Sequence, residues 1–319
     1  MVYWFHIYLR NFLLSHNYIE VRTPVVCRFS DVAPVQQFSV NIPFDKTTEF
    51  YLRIAPTEFL KRLMQIGMSK IFEFSTNFRN DYYDKSHLPE FTSLEIMEMN
   101  CSVYDMMDLI ENLCKTVYRQ TISDGIENQL GSTFLQPWPR ISLPEYLNMH
   151  YQVTHAEIQT YAGIKTLYKT IFKKDSDKNY CELWDEIITS ISYLYETPVF
   201  IGDFPWDLGG PAKPSSKYTG YKERCELYYN GLELANMSST LTDINRVTDW
   251  YNNTLIVKNG ISDKQYVLDV NLMRAFELGI PPCAVVGIGI DRFIQLLLGK
   301  SNITDVICFC ELKKEGRDI

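Results

Sequence analysis

The 319 residues are 46% hydrophobic and carry a formal charge of -8, enough apolar material for one large core. The acidity argues against a broad basic face for non-specific nucleic-acid binding, while a local basic groove remains compatible with it. Eight cysteines, at 27, 101, 114, 181, 225, 283, 308 and 310, contain no CxxC pair and are expected to be reduced, mostly buried thiols of a cytoplasmic protein.

The opening MVYWFHIYLRNFLLSHN has no basic leader and carries His6 and Arg10 inside its apolar run, which predicts an amphipathic helix over 3–17 rather than a signal. No stretch reaches the roughly 18 uncharged apolar residues that a membrane-spanning helix needs. YIEVRTPVV alternates like a strand until Pro24 limits its pairing, and FYLRIA is a second strand. PTEFLKRLMQIG opens on proline and closes on glycine, and Phe59, Leu60, Leu63, Met64 and Ile66 give it a broad apolar stripe; it is a helix. Residues 70–79 and 91–100 read as strands, followed by a helix over 103–120 that Ser102 can cap. From 125 to 195 loop-like sequence and short helical patterns predict a helical insertion within a single domain spanning 1–319. PVFIGDF, RCELYYN and LELANM resume the strands, and DLGGPAKPSSKYTGY between them reads as a mobile loop. Helices over 243–258 and 266–278 follow, then the strand and helix of AVVGIGIDRFIQLLLG, then a last strand DVICF. Sequence-adjacent strands joined by hairpins, with helices grouped between them, predict an α+β fold with an antiparallel sheet flanked by helices.

Three segments concentrate polar chemistry. In NFRNDYYDKSHLPEFTSLEI, Arg79 and Asp81 are two apart on one strand and Glu90 to Glu95 lie on the returning strand, so opposite charges share a sheet face. A solvated face would explain such charges, but the flanking IFEF and SLEI are too apolar for a fully exposed ribbon. In RCELYYNGLELAN a glycine-containing turn separates Glu226 from Glu233, and two carboxylates on neighbouring strands suit Mg2+ beside phosphate oxygens. In GIGIDR, Gly287 and Gly289 leave flat backbone on one strand face, and Arg292 starts the next helix. The GKS at 299–301 is not a phosphate-binding P-loop, because Ile294 stands where that motif needs glycine.

Taken in order, these segments resemble the signature motifs of class II aminoacyl-tRNA synthetases, and lysyl-tRNA synthetase in particular. YIEVRTP resembles motif 1, FRNDYYDKSHLPEFTSLE resembles motif 2 with its FRNE and HNPEFTxxE, and GIGIDR resembles motif 3. RIAPTEFLKRL and ERCELYYNGLELAN are similar to RIAPELYLKRL and ERFELFIGGREIGN. The resemblance spans about residues 5–310. The chain starts almost directly at the motif 1 helix, so no anticodon-dependent tRNA binding is expected, and the resemblance extends to the elongation factor P lysine ligases. GLELAN and TLTD look closer to that ligase group.

The resemblance implies a catalytic domain that uses ATP and Mg2+ to activate an amino acid. Arg79 and Arg292 would be catalytic, with Arg79 on the α-phosphate and Arg292 with His87 on pyrophosphate. Phe91 would stack on adenine, Asp81 and Gly289 would line the ATP site, and Glu226 with Glu233 would bind the metal. Glu95 would receive the lysine ammonium, with Asn236 near the carboxylate and Thr57, Met97, Thr240 and Gly287 lining the same pocket.

Most departures fall in that pocket: Thr57 and Thr240 stand where the family has glutamates and Met97 replaces an aromatic. In the ATP site Asp81 replaces the glutamate of FRNE. An unpaired buried ammonium costs several kcal/mol, so either Glu95 alone suffices or the substrate is not ordinary lysine. Two enzymatic readings remain open: transfer of lysine or a lysine-like amino acid to a protein such as elongation factor P, or a stand-alone adenylate-forming ligase acting on a different acid for a small-molecule or carrier-protein acceptor. A binding protein without turnover is a third. The resemblance also implies a homodimer through motif 1, and a monomeric mass by light scattering would contradict it.

Overall fold

A computed structural model describes residues 2–29, 35–45, 48–80, 83–126, 129–261 and 269–311. Its centre is an eight-stranded sheet, and it has a small three-stranded one beside it. The strands are β1 (Ile19–Glu20), β2 (Val26–Cys27), β3 (Ser39–Val40), β4 (Phe50–Leu52), β5 (Lys70–Phe78), β6 (Glu90–Met99), β7 (Arg140–Ser142), β8 (Val199–Pro205), β9 (Tyr221–Tyr229), β10 (Leu232–Ser239) and β11 (Cys283–Gly289). The large sheet runs β1-β5-β6-β11-β10-β9-β8-β7, and β2-β4-β3 form the small one. All pairs from β5 to β9 across the large sheet are antiparallel, while the outermost strands, β1 on β5 and β7 on β8, pair in parallel. The architecture is therefore α+β with a mostly antiparallel sheet, as the hairpin spacing predicts.

The helices are α1 (Val2–Ser15), α2 (Thr57–Gln65), α3 (Val103–Ser123), α4 (Leu143–Tyr151), α5 (Tyr161–Phe172), α6 (Tyr180–Ser192), α7 (Ile244–Ile261), α8 (Val270–Leu278) and α9 (Ile290–Leu297). At the start of α3 the Ser102 amide donates to Asp105 at 2.8 Å, closing the first turn. The turn between β9 and β10 holds Asn230 at φ 48° and Gly231 at φ 76°, the positive pair that a two-residue hairpin requires.

Period-two alternation divides the large sheet into a packed and an open face. Leu94, Ile96, Val286, Ile288, Ala235, Cys225 and Leu227 point to one side, where they join Phe5, Leu9, Ile110, Leu113 and Ile294 of α1, α3 and α9. Each such fully buried aliphatic or aromatic side chain contributes roughly 1.5–3 kcal/mol, so this face is the principal anchor of the sheet. Helices α4, α5 and α6 build a separate cluster around Trp184 and Tyr168 with β8. Helices α2, α7 and α8 pack a third around Leu60, Met97, Tyr251 and Phe276 at one end of the opposite face.

Several boundaries differ from the sequence reading. YIEVRTPVV gives only β1 and β2, because Thr23 and Pro24 turn the backbone toward Arg53, whose guanidinium donates to the Thr23 carbonyl at 3.2 Å. FYLRIA is paired only over β4, and β7 adds a short edge strand within 125–195 that periodicity did not mark. DVICF is not a strand: residues 303–305 form a 3-10 turn capped by Asn302, and Phe309 is 96% exposed with φ 59°. The segment follows α9 and turns at Asn302 and Val306 and again at Phe309, so it lies alongside neither edge strand of the large sheet. The expected start of the helix at 266–268 lies outside the described residues. Among the described residues none of the eight cysteines is in a disulfide, but only Cys27, Cys114, Cys225 and Cys283 are buried. No described helix is long and apolar enough to cross a membrane.

Candidate active site

The open sheet face carries one transverse row of polar residues. Register places Glu73 of β5 opposite Glu95 of β6, Glu95 opposite Gly287 of β11, Gly287 opposite Asn236 of β10, and Asn236 opposite Glu226 of β9. The hairpin expected from the charges around Arg79 and Glu95 therefore supplies two strands of a five-strand row, and the other two signature segments supply the remaining three.

Gly287 permits the row to be flat. A Cβ there would lie 2.7 Å from Glu95 Oε1 and 2.9 Å from Oε2, closer than van der Waals contact allows, so the Glu95 carboxylate occupies the space of the missing side chain. Burial pushes the Glu95 pKa up to about 7, against the opposing pull of the Ser93 hydrogen bond and the Arg79 guanidinium. Glu73 is held differently. Its Oε1 accepts from Arg53 at 2.8 Å and its Oε2 from the Thr23 hydroxyl at 2.8 Å, in an ion pair almost fully removed from solvent.

At the other end Glu226 is buried and accepts from Arg224, from Asn236 Nδ2 at 3.0 Å and from the Tyr228 hydroxyl at 2.8 Å. Burial raises its pKa although Arg224 opposes the rise. Arg224 also donates to Asn236 Oδ1 at 3.2 Å and to the Leu208 carbonyl at 2.9 Å, tying the loop after β8 to the row.

The rim is cationic. The exposed Arg79 lies just beyond β5, its amide bonded to the Pro89 carbonyl at 2.8 Å and its guanidinium 5.0 Å from the Phe91 ring centroid. Arg292, in the first turn of α9, donates to the Ser86 carbonyl at 3.0 Å and the Glu233 carbonyl at 2.9 Å, and its Nη2 lies 2.7 Å from His87 Nε2. Because arginine only donates, His87 Nε2 is the acceptor and its Nδ1 carries the proton toward Asp84, 2.9 Å away. Gly289 ends β11 opposite Ser93 and caps α9. Asp291, beside Arg292, accepts the Thr92 amide at 2.7 Å, and burial pushes its pKa up to about 6.

The structure thus brings Arg79 to Phe91, Arg292 to His87 and Glu233, and Glu95 into register with Gly287, Asn236 and Glu226. Thr57 opens α2, which packs on this face through Leu60 and Met64, and Thr240 follows β10 with its hydroxyl buried next to Cys283. Met97 is fully buried in the α2, α7 and α8 cluster, where it seals the floor of the face. Asp81 lies outside the described residues. Sequence reasoning missed Arg53, Glu73, Ser93 and Arg224, although Glu73 and Arg224 share strand parity with Arg79 and Glu226.

The donor set can be tested against a hard cation. Among the described residues no three His, Cys, Asp or Glu side chains form a metal cage. Glu226 and Glu233 are close enough for the Glu233 charge to raise the Glu226 pKa. Two carboxylates fit Mg2+, which takes its remaining ligands from water and phosphate, provided Arg224 yields on one side.

Residues 5–313 match the family described as tRNA synthetases class II (D, K and N), and the chain belongs to that family. It is 30% identical over 310 residues to a lysine-tRNA ligase of Buchnera aphidicola, covering 96% of this chain and 61% of that relative. It is 32% identical over 305 residues to a lysine-tRNA ligase of Thermotoga maritima, covering 94% and 60% respectively. A lysine-tRNA ligase of Colwellia psychrerythraea is 28% identical over 340 residues, covering 97% and 64%. The chain spans about three fifths of the length of the curated relatives it matches.

Proposed function

We propose that this chain is an ATP-dependent ligase that activates lysine or a lysine-like amino acid as its adenylate. The observation that carries this reading is the single row in which Glu95 faces Gly287, Asn236 and Glu226, with Arg79 and Arg292 at its rim. The amino acid's cation meets Glu95 and its carboxylate lies toward Asn236. A carboxylate oxygen then attacks the α-phosphorus of ATP; the new P–O bond forms as the bond to the β-phosphate oxygen breaks and pyrophosphate leaves. No proton moves in this step, so its acceleration rests on positioning and charge. Arg79 neutralises the α-phosphate as negative charge gathers there, and Arg292 with His87 receives the pyrophosphate. Phe91 offers a face to the adenine once Arg79 turns to the phosphate. Glu226 and Glu233 would hold Mg2+, which supplies charge neutralisation on the phosphates.

The acceptor we propose is the side-chain amine of a protein lysine such as that of elongation factor P, with GLELAN and TLTD in support. The hydroxyls at Thr57 and Thr240 favour a second reading, in which a less basic acid is activated for a small-molecule or carrier-protein acceptor. Two copies would associate through motif 1 and the apolar first helix, where Tyr3, Trp4, Ile7, Leu14 and Ile19 expose 40–69% of their surface. Incubation with ATP, lysine and elongation factor P is expected to give pyrophosphate, AMP and a lysyl mass increment on the acceptor. Exchange of pyrophosphate without that increment would leave the activation and remove the acceptor.

A further inference from the structure

The carboxylates of the row are not equivalent, and the difference concerns which of them can meet a substrate. Both oxygens of Glu73 are taken, by Arg53 and Thr23. Both oxygens of Glu226 are taken, by Arg224 with Asn236 and by Tyr228. Glu95 accepts one hydrogen bond, from Ser93 to Oε1 at 2.7 Å, and none to Oε2 among the described residues.

Ser93 is itself held from behind. Ser75 Oγ donates to Asn77 Oδ1 at 2.5 Å, Asn77 Nδ2 donates to Ser93 Oγ at 2.8 Å, and Ser93 donates onward to Glu95. Ser75, Asn77 and Ser93 are 0%, 1% and 5% exposed, so water does not compete for these bonds. The chain has one consistent direction: an ionised carboxylate only accepts, so the single Ser93 proton points to Glu95 and its lone pair takes the Asn77 amide. Strand parity puts all four residues on the open face, two steps apart along β5 and β6.

We propose that Ser93, oriented by Asn77 and Ser75, is a specificity-determining positioning residue that fixes Oε1 of Glu95 and leaves Oε2 aimed at the side-chain cation of the amino acid. This rests on the amino-acid ligase reading and deepens it: the pocket takes an amino acid with one side-chain cation, received by one oxygen. Hydroxyls at Thr57 and Thr240 add no second charge. The charged groups facing Glu95 are Arg79 and Glu73 of the β5 segment and Arg53 beside them, while β11 presents only Gly287.

The test is pyrophosphate exchange across pH 5.5–8.5 by the wild-type chain, Ser93→Ala and Ser93→Thr. A donor to an ionised carboxylate favours that form, so its loss moves the rise of amino-acid affinity to higher pH. Ser93→Ala is expected to raise the KM for the cationic amino acid about tenfold at neutral pH. The KM for ATP and the kcat at saturating amino acid stay near wild type, and Ser93→Thr restores both the KM and the pH profile. An unchanged amino-acid KM and pH profile in Ser93→Ala, or an equal rise in both KM values, would overturn the inference and leave the ligase reading intact. Absence of exchange by the wild-type chain with every cationic amino acid overturns the ligase reading and the inference with it.

Discussion

Replacing Arg79 with alanine is expected to lower amino-acid-dependent pyrophosphate exchange by roughly a thousandfold, the order lost when a preorganised donor to a developing negative charge is removed. The folding stability of the variant stays within about 0.5 kcal/mol of wild type, because an exposed side chain far from caps and core tolerates substitution. Arg79 is exposed, and among the described residues its aromatic partner is Phe91, 5.0 Å from the guanidinium. Its amide, which registers the hairpin against Pro89, survives the substitution. Lysine at this position restores charge but not the planar fork, and recovers only part of the rate. Exchange rates beside a thermal unfolding curve decide the matter: a variant losing activity and stability together would mean that Arg79 is structural.

Replacing Glu95 with glutamine should separate function from stability in the opposite sense. The ordinary glutamate pKa is near 4.3, and burial places Glu95 at about 7 in the folded chain. The folded state therefore holds this proton more tightly than the unfolded state. Stability from this group is fully present below about pH 4 and is lost as pH rises toward 7. At pH 8 the buried charge costs about 3 kcal/mol, and glutamine, isosteric and uncharged, removes most of it while still accepting from Ser93. The variant is expected to be about 2 kcal/mol more stable than wild type at pH 8 and close to it at pH 4. Asp291 shifts in the same direction, but it is common to both proteins and cancels. Exchange with a cationic amino acid falls by roughly a hundredfold or more, the order lost when one partner of a buried charge pair is removed. Denaturant unfolding at the two pH values, beside the exchange assay, reads both effects. A less stable variant at pH 8 would show that Glu95 is not an ionised, strained group in the free chain.

Much of this site is legible in the sequence because sheets have a period of two. Glu95, Glu226 and Gly287 lie on segments whose alternation marks them as strands, with Arg79 just beyond one, and the Asn230–Gly231 turn starts the β9 to β10 ladder, which a bulge between Glu233 and Ala235 shifts before Asn236 meets Glu226. The same parity, carried back along KIFEFSTNF, puts Glu73, Ser75 and Asn77 on the face of Arg79. No local signal marks them, because Glu73 is isolated in an apolar run and serine and asparagine carry no charge. Arg224 was hidden in the same way, two residues before Glu226. Arg53 was not legible, since its partnership with Glu73 and Thr23 joins three separate segments through packing that no local pattern encodes. The false strand at DVICF has a related cause: its composition suits a strand, but an apolar run becomes one only where the chain carries it alongside a sheet edge, and here a 3-10 turn at 303–305 directs it elsewhere.

The central claim is that Glu95 is the charge that selects the substrate on an adenylate-forming face. It is tested most directly by ATP and pyrophosphate exchange against a panel of α-lysine, β-lysine, shorter diamino acids and the uncharged norleucine. Exchange is expected with at least one monocationic member and none with norleucine, and the responding amino acid should lose its exchange in Glu95→Gln. Exchange that prefers norleucine, or no exchange with any cationic member, would contradict the account.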